Sequence, residues 1–461
     1  MRARSVVSVS DLRADIALLL RRAGFAARPA ELDHYTALGW DATLDELLHP
    51  ERVEEDLDTL LTSLQGNLID LQNLDDVQTW WLYRMVQTRR PLLEKLTLFW
   101  HGHFAVANYK VNNPFLMHQH IELLRENALG TFDTLLLGVS RDPAMLLWLD
   151  GASNHRNAPN ENYGRELLEL YTLGIGNYGE ADVKAAARAF TGWNLRGGTD
   201  FFFDENQHDA GDKTFLGQSG NLDGTDILNV VVNHPASAHR LVSKLFAFFA
   251  YPNPEPDVLD PLIDMYTTSG HDIRRVTEAI LRSDAFVSER SRSEHVKSPV
   301  EYVVGSVRML DATVRERDLV PALRLLGQEV LNPPNVAGWP GGTTWINPST
   351  LLGRWNFAAR LTSARGQTGD SGQLKAEALL GLKAPDVSNP GAVLESVLTS
   401  VGGLELSTES QQALMDYVKS PLNYPPGFAG QPNPQQQQAA ADARLRGLLL
   451  LALASTDYQI G

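Results

Sequence analysis

The sequence predicts an all-α protein, a multi-helix globular array with three long loop insertions and at most a small β-hairpin. Three observations carry this expectation. Most of the chain repeats apolar residues at helical spacing, strand signals are few, and the connections are mostly short.

Taken in order, apolar residues recur three and four apart over 11–23, 43–48, 53–64, 79–86 and 92–108. The same spacing continues over 114–127, 131–149, 181–191, 236–250, 256–268, 273–282 and 299–310. It closes with 320–326, 349–362, 374–382, 391–398, 409–418 and 441–453. Between 160 and 174 lies a further helical segment, polar enough to be treated separately below. The run Phe201-Phe202-Phe203-Asp204 is the one strand signal, one half of a hairpin.

Three insertions interrupt the helices. Residues 192–225 are rich in Gly, Asp and aromatics, and 332–347 combine Gly and Pro with two tryptophans. Residues 424–438 carry Pro425-Pro426-Gly427 and a glutamine run, a composition expected of a mobile tract. We read one helical domain over 1–461. Within it an N-terminal lobe is expected at 1–130, a motif-bearing central lobe at 131–365 and a C-terminal lobe at 366–461. No internal repeat of fixed period stands out.

Bulk composition bounds the function. The 461 residues suffice for a large core, and the net charge of −16 disfavours nucleic acid and anionic membranes as partners. With no cysteine, disulfides, thiol nucleophiles and cysteine metal sites are excluded. No apolar run approaches the ~18 residues of a membrane helix, and the first residues lack the apolar stretch of a signal peptide. A soluble protein is expected, with its compartment left open.

The segment from Asn160 to Gly174 concentrates the chemistry. It holds three carboxylates, an arginine, two asparagines and two tyrosines. At helical spacing Tyr163, Leu167 and Leu170 form an apolar stripe, and Glu161, Arg165 and Glu169 form a ladder of alternating charge. Asn160 suits an N-cap and Gly174 a helix stop. Such ladders are commonly solvated faces. The alternative is that Glu161 or Glu166 enters a cleft, with Arg165 holding the carboxylates and Asn162 nearby.

Other candidates lie elsewhere. His101 and His103 are two apart, so on a helix they diverge and are poorly placed to share one ion. His103 is the better hydrogen-bonding or proton-carrying group. The loop 204–213 gathers oxygen ligands that suit calcium or another divalent ion, without the spacing of a known calcium loop. There His208, Asp209 and Lys213 equally suit acid/base work. Trp193, Trp339 and Trp345 stand in Gly/Pro loops, where an indole needs partners for both its face and its N–H. They would stack on sugar rings or plug their loops onto the core. No nucleophile elbow, phosphate loop or zinc-protease helix is present.

Taken together, Leu19-Leu20-Arg21-Arg22-Ala23-Gly24-Phe25, Phe99-Trp100-His101-Gly102-His103-Phe104 and Leu147-Trp148-Leu149-Asp150 carry a resemblance. So do the 160–174 segment, Ala187-Arg188-Ala189-Phe190-Thr191-Gly192-Trp193, His208-Asp209-Ala210-Gly211-Asp212-Lys213, Lys297-Ser298-Pro299 and the loop 333–345. The chain resembles, nearly end to end, the bacterial family called domain of unknown function 1800. Three positions depart from the family pattern. Ala26 stands where Gly is usual, His101 where Asn is frequent, and Gly164 where another small residue, often Ala, is typical. The resemblance implies an all-helical protein, often encoded beside a sulfatase-like partner that carries an export signal, and hence a context at the cell envelope. It supplies no reaction.

Three functional expectations follow. The first is a hydrolase acting on a glycan or sulfated polysaccharide, with no cofactor required. Glu166 or Glu161 would be the acid or nucleophile and Asp209 or His103 the base. Arg165, Asn162, Tyr163, Trp193, His208, Lys213, Trp339 and Trp345 would hold the carbohydrate. The second is a non-catalytic scaffold or escort for the sulfatase-like protein. The third is a metal-assisted enzyme with His103, Glu166 and Asp209 as ligands.

Overall fold

Amphipathic segments of this number bury their apolar stripes only by packing on one another, and the computed structural model shows how. It describes residues 9–461 apart from 67, 364–388, 403, 405 and 423–431. The helix expected at 374–382 and residues 424–431 of the Pro/Gln tract lie outside the described residues.

The first third holds α1 (Val9–Arg22), α2 (Pro29–Leu38), α3 (Trp40–Leu48), α4 (Leu57–Leu64), α5 (Leu74–Gln87), α6 (Pro91–His103), α7 (Asn108–Val111) and α8 (Pro114–Glu126). Next come α9 (Phe132–Arg141), α10 (Pro143–Trp148), α11 (Asn162–Glu166) and α12 (Glu180–Ala189). A run of α13 (Gly224–Val232), α14 (Pro235–Phe249), α15 (Pro256–Thr268), α16 (Ile273–Arg282) and α17 (Glu289–Glu294) leads to α18 (Pro299–Met309). The last are α19 (Leu319–Leu326), α20 (Pro348–Ser363), α21 (Pro390–Ser400), α22 (Thr408–Lys419), α23 (Pro434–Ala454) and α24 (Thr456–Gln459).

The fold is mostly helical, as expected, with small differences that have local causes. The stretch 131–149 is two helices because Pro143 cannot continue α9, and Asp142 caps α10 by accepting the Met145 N–H at 3.0 Å. The glutamine run belongs to α23, whose first turn Asn433 caps. Two hairpins replace the single one expected. β1 (Trp193–Arg196) pairs with β2 (Asp200–Phe203), and β3 (Lys213–Phe215) with β4 (Gln218–Gly220). Among the described residues, no helix is long and apolar enough to cross a membrane.

Two helices sit at the centre. Every residue of α18 is buried, and α6 is buried except at Leu93 and Gly102. A helix covered on all sides must satisfy its polar groups inside the protein. Lys95 of α6 and Glu301 of α18 do so by pairing with each other, and His295 Nε2 lies 3.2 Å from the same Glu301 oxygen. Burial alone would raise the Glu301 pKa, but Lys95 and His295 hold it well below the ordinary range. Around these helices one hydrophobic cluster runs from Ile16 to Tyr458.

Two backbone positions tie loops to this centre. Ala26 has φ +59°, a left-handed conformation that costs a residue with a Cβ about 1 kcal/mol and that glycine adopts freely. Gly338 has φ +76°, and a Cβ on it would stand 2.4 Å from the Gly102 carbonyl oxygen. The loop after Asn332 thus lies directly on the C-terminal turn of α6, beside His101 and His103.

Candidate functional site

The polar segment begins as an α-helix and does not stay one. Asn160 Oδ1 accepts the Asn162 N–H at 2.9 Å, closing a turn one step ahead of α11. Gly164 lets α11 pack tightly on α12, since its Cβ would sit 3.2 Å from that of Ala186. After Glu166 the backbone widens into a π-helix over Leu167–Tyr171. Thr172 Oγ1 donates to the Leu167 carbonyl at 2.6 Å, and Gly174, at φ +81°, ends the segment. Single π turns recur at functional sites, where the altered register re-aims side chains.

That register changes the expected faces. Tyr163 and Leu167 are buried, but Leu168 and Tyr171 complete the stripe and Leu170 is only partly covered. The charge ladder also breaks. Arg165 bonds Glu161 at 3.0 Å and turns its fork to Glu180 at 2.8 and 2.9 Å, forming a surface network. Glu169 instead accepts the Tyr178 hydroxyl at 3.0 Å, and this carboxylate helps push the Tyr178 pKa up to about 12, after burial. Glu166 stands half-buried with no hydrogen bond or ion pair among the described residues. Its pKa is raised, first by burial and then by Glu169, with Arg165 opposing.

His103 meets the far end of the same segment. Its Nε2 lies 3.0 Å from the Tyr171 carbonyl oxygen and so carries the proton. Its Nδ1 then accepts from Lys244 Nζ at 3.0 Å. Burial first, and Lys244 next, hold the His103 pKa well below its ordinary value, so the ring is neutral. Lys244 is itself lowered to about 8 by burial and by Arg240. One turn earlier on α14, Arg240 Nε donates to the Leu170 carbonyl at 3.1 Å. The face around the π turn therefore gathers Glu166, Glu169, Tyr178, Arg240, Lys244 and His103. Of these only Glu166 and His103 stood among the sequence candidates. A signal for the basic pair was present, since α14 carries Arg240 and Lys244 at i, i+4 and no acidic residue in an acidic chain.

Asp209 and its neighbours form a separate structure. Arg188 of α12 grips Asp209 with two bonds, at 2.6 and 3.1 Å, and the Gly211 N–H adds a third. The side-chain bond from Arg188 is the main cause holding the Asp209 pKa down to about 2. Lys213 is buried and spends its ammonium on the Asp209 and Gly211 carbonyls at 2.6 and 3.0 Å. His208 Nδ1 bonds the Thr191 carbonyl at 2.9 Å. These three residues brace the loop between the hairpins. Among the described residues, no hydrogen bond, ion pair or ring contact joins any two of Glu161, Glu166, His103 and Asp209.

The tryptophans are also partly spoken for. Trp193 is 5% exposed, wedged edge-on against Phe190 and Phe201 under the Arg141 guanidinium. Trp345 is buried at 7% exposure. Trp339 is half-buried against the His101 ring, and its Nε1 is enclosed without a partner among the described residues. His101 Nε2 accepts the Leu331 N–H at 3.0 Å, a role an asparagine oxygen could also fill. Asn162 is exposed and donates to Asp150 at 3.2 Å, and the Tyr163 hydroxyl meets Ser140.

No group of three or more His, Asp or Glu side chains able to hold a metal occurs among the described residues. The 204–213 loop therefore offers no such calcium cluster. There Asp204 caps the Asn206 N–H and Asp209 faces Arg188. His103, Glu166 and Asp209 do not form such a group either.

A largely buried helix pair surrounded by amphipathic helices, with a π-broken polar segment against a basic helix, defines a helical protein with one polar face built around that break. A model of the family described as "Protein of unknown function (DUF1800)" matches residues 18–460, and the chain belongs to that family. Comparison with curated proteins and with solved structures gives no significant match.

Proposed function

We propose that the protein is a hydrolase acting on a glycan through carboxylate acid/base chemistry, with Glu166 as the general acid and Glu169 as its partner base. The observation that supports this most is the contrast between two carboxyls three residues apart, Glu166 at the end of α11 and Glu169 in the π turn. Glu166 is half-buried, unpaired among the described residues and held above the ordinary carboxyl range by burial and by Glu169. Glu169, by contrast, accepts a hydrogen bond from the Tyr178 hydroxyl at 3.0 Å. Glycoside cleavage needs a carboxyl that can donate a proton and a second carboxylate close by. Glu166 would protonate the departing glycosidic oxygen, and Glu169 would take a proton from the attacking water. In this reading Glu161 serves the surface network with Arg165, and Asp209 serves its loop.

The test is turnover of neutral and acidic polysaccharides by wild type and by Glu166→Gln, Glu169→Gln and Glu161→Gln. Loss of a positioned acid or base costs about 10²–10⁴-fold in rate. Glu166→Gln and Glu169→Gln are expected to lose at least about a hundredfold, and Glu161→Gln to remain near wild type. Activity should also fall as pH rises through the raised Glu166 pKa, because the acid must be protonated. Equal turnover by wild type and Glu166→Gln defeats the assignment.

One observation favours the escort reading. Ile175, directly after the segment, is 81% exposed, an apolar tip suited to a protein partner such as the sulfatase-like neighbour. Co-purification with that partner, lost in Ile175→Asp while polysaccharides are left intact, would support it over catalysis.

A further inference from the structure

We propose that Arg240 and Lys244 form a binding site for an oxyanion, the sulfate ester or carboxylate of an acidic glycan. Only the identification of the carrier as a glycan rests on the function proposed above. The anion site itself rests on the geometry of α14.

Residues four apart share a helix face, so the two cations point to the same side. Both are partly buried against the end of the π turn, Arg240 on the Leu170 carbonyl and Lys244 on His103. Arg240 Nη1 lies 3.1 Å from where a Cβ on Gly174 would stand, so the guanidinium rests against bare backbone. Its bond to Leu170 uses one N–H, and the rest of the fork remains. Lys244 uses one ammonium proton on His103 Nδ1, and two remain.

Neither cation has an ion-pair partner among the described residues. Arg22, Lys213 and Lys297 are also buried without an ion pair among these residues, but each spends two or more hydrogen bonds on backbone carbonyls, where Arg240 and Lys244 each make one hydrogen bond. Lys95 pairs with Glu301, Arg125 with Glu94 and Arg188 with Asp209. Glu169 lies near enough to influence Arg240, whereas Arg240 is the only charged neighbour that shifts Lys244. A partly buried ammonium without a counter-charge is costly. In a chain of net charge −16, such an ammonium one helical turn from a guanidinium with free donors is a place held for an anion. An arginine fork beside a lysine point charge suits sulfate or carboxylate oxygens. Glu166 lies on the same π-turn segment, so an anion held here would set an acidic sugar next to the proposed acid.

The experiment measures sodium sulfate, at ionic strength matched by sodium chloride, on the full chain by thermal shift and calorimetry. A sulfated galactan oligosaccharide, a polyuronate oligosaccharide and a neutral glucan oligosaccharide complete the set. Sulfate and at least one acidic oligosaccharide should bind wild type more tightly than the neutral one, and the two acidic arms distinguish ester from carboxylate. Loss of one charged hydrogen bond corresponds to about a tenfold weakening or more. Lys244→Gln keeps a donor for His103 but removes the charge, and both it and Arg240→Gln should lose at least that much. Lys244→Arg should retain binding, which guards against a misfolded glutamine variant. The proposal is overturned if no anionic probe exceeds the chloride and neutral-glucan controls, or if both charge-removing variants bind like wild type. Glu166→Gln should keep sulfate binding, so failure of catalysis and failure of the anion site give different results.

Discussion

At the scale of single residues, the chemistry is set by which side chains the fold leaves without a partner. Glu161, Asp209 and Lys213 read as reactive in a linear sequence, yet each is bonded, and two members of those networks come from more distant parts of the chain. Arg188 is 21 positions from Asp209, and Glu180 is 15 from Arg165. Glu166 was legible because its helix was legible. Lys244 was hidden because its partner His103 is 141 positions away. The isolation of Glu166 has a measurable effect on stability. Its folded pKa lies above the unfolded value of 4.5, raised first by burial and then by Glu169. The favourable contribution is therefore complete below about pH 4.5 and lost as pH rises through the raised value. Glu166→Gln should melt at a higher temperature than wild type at pH 7, and this gain should vanish near pH 4. A melting temperature that does not rise at pH 7 would show that the carboxyl is not held against ionisation.

At the scale of elements, periodicity located most helices because their buried faces are long enough to repeat. It could not show where a helix changes type. The π turn at Leu167–Tyr171 keeps the same residues in almost the same place, so nothing in the apolar pattern marks it. It nonetheless moves Glu169 from Arg165 to Tyr178 and brings Tyr171 inward. The loop at 332–347 looked functional from its composition. In the structure its glycine serves packing, since Gly338 touches the Gly102 carbonyl where no Cβ fits. Gly338→Ala combines a left-handed backbone with a severe overlap, and should destabilise the protein by about 2–4 kcal/mol. Denaturant unfolding measures this, and a loss below about 1 kcal/mol would mean the loop can lift from α6 without penalty.

At the scale of the whole molecule, the all-helical character was plain from the sequence, while the burial of α6 and α18 was not. Burial has an acid-side consequence. Burial is the leading cause holding His101 down to about 3 and His118 and His295 down to about 4, so all three fold as neutral rings. Folded values below the unfolded 6.5 mean that protonation favours unfolding, so stability present above pH 6.5 is lost as pH falls toward 4. Between pH 7 and 5 the loss should be on the order of a few kcal/mol in sum, read as a lower guanidinium midpoint. An unchanged midpoint at pH 5 would show that these rings reach water.

The bond between Lys95 and Glu301 also bears on how the chain is made. Its ends are 206 residues apart in sequence. A nascent polypeptide emerging from the ribosome must carry an unneutralised ammonium on a helix destined for the core until the second half has been synthesised. Any fragment ending before Glu301 keeps that charge with no counterpart, so the first half has to wait, loosely collapsed or chaperoned, for the second to arrive.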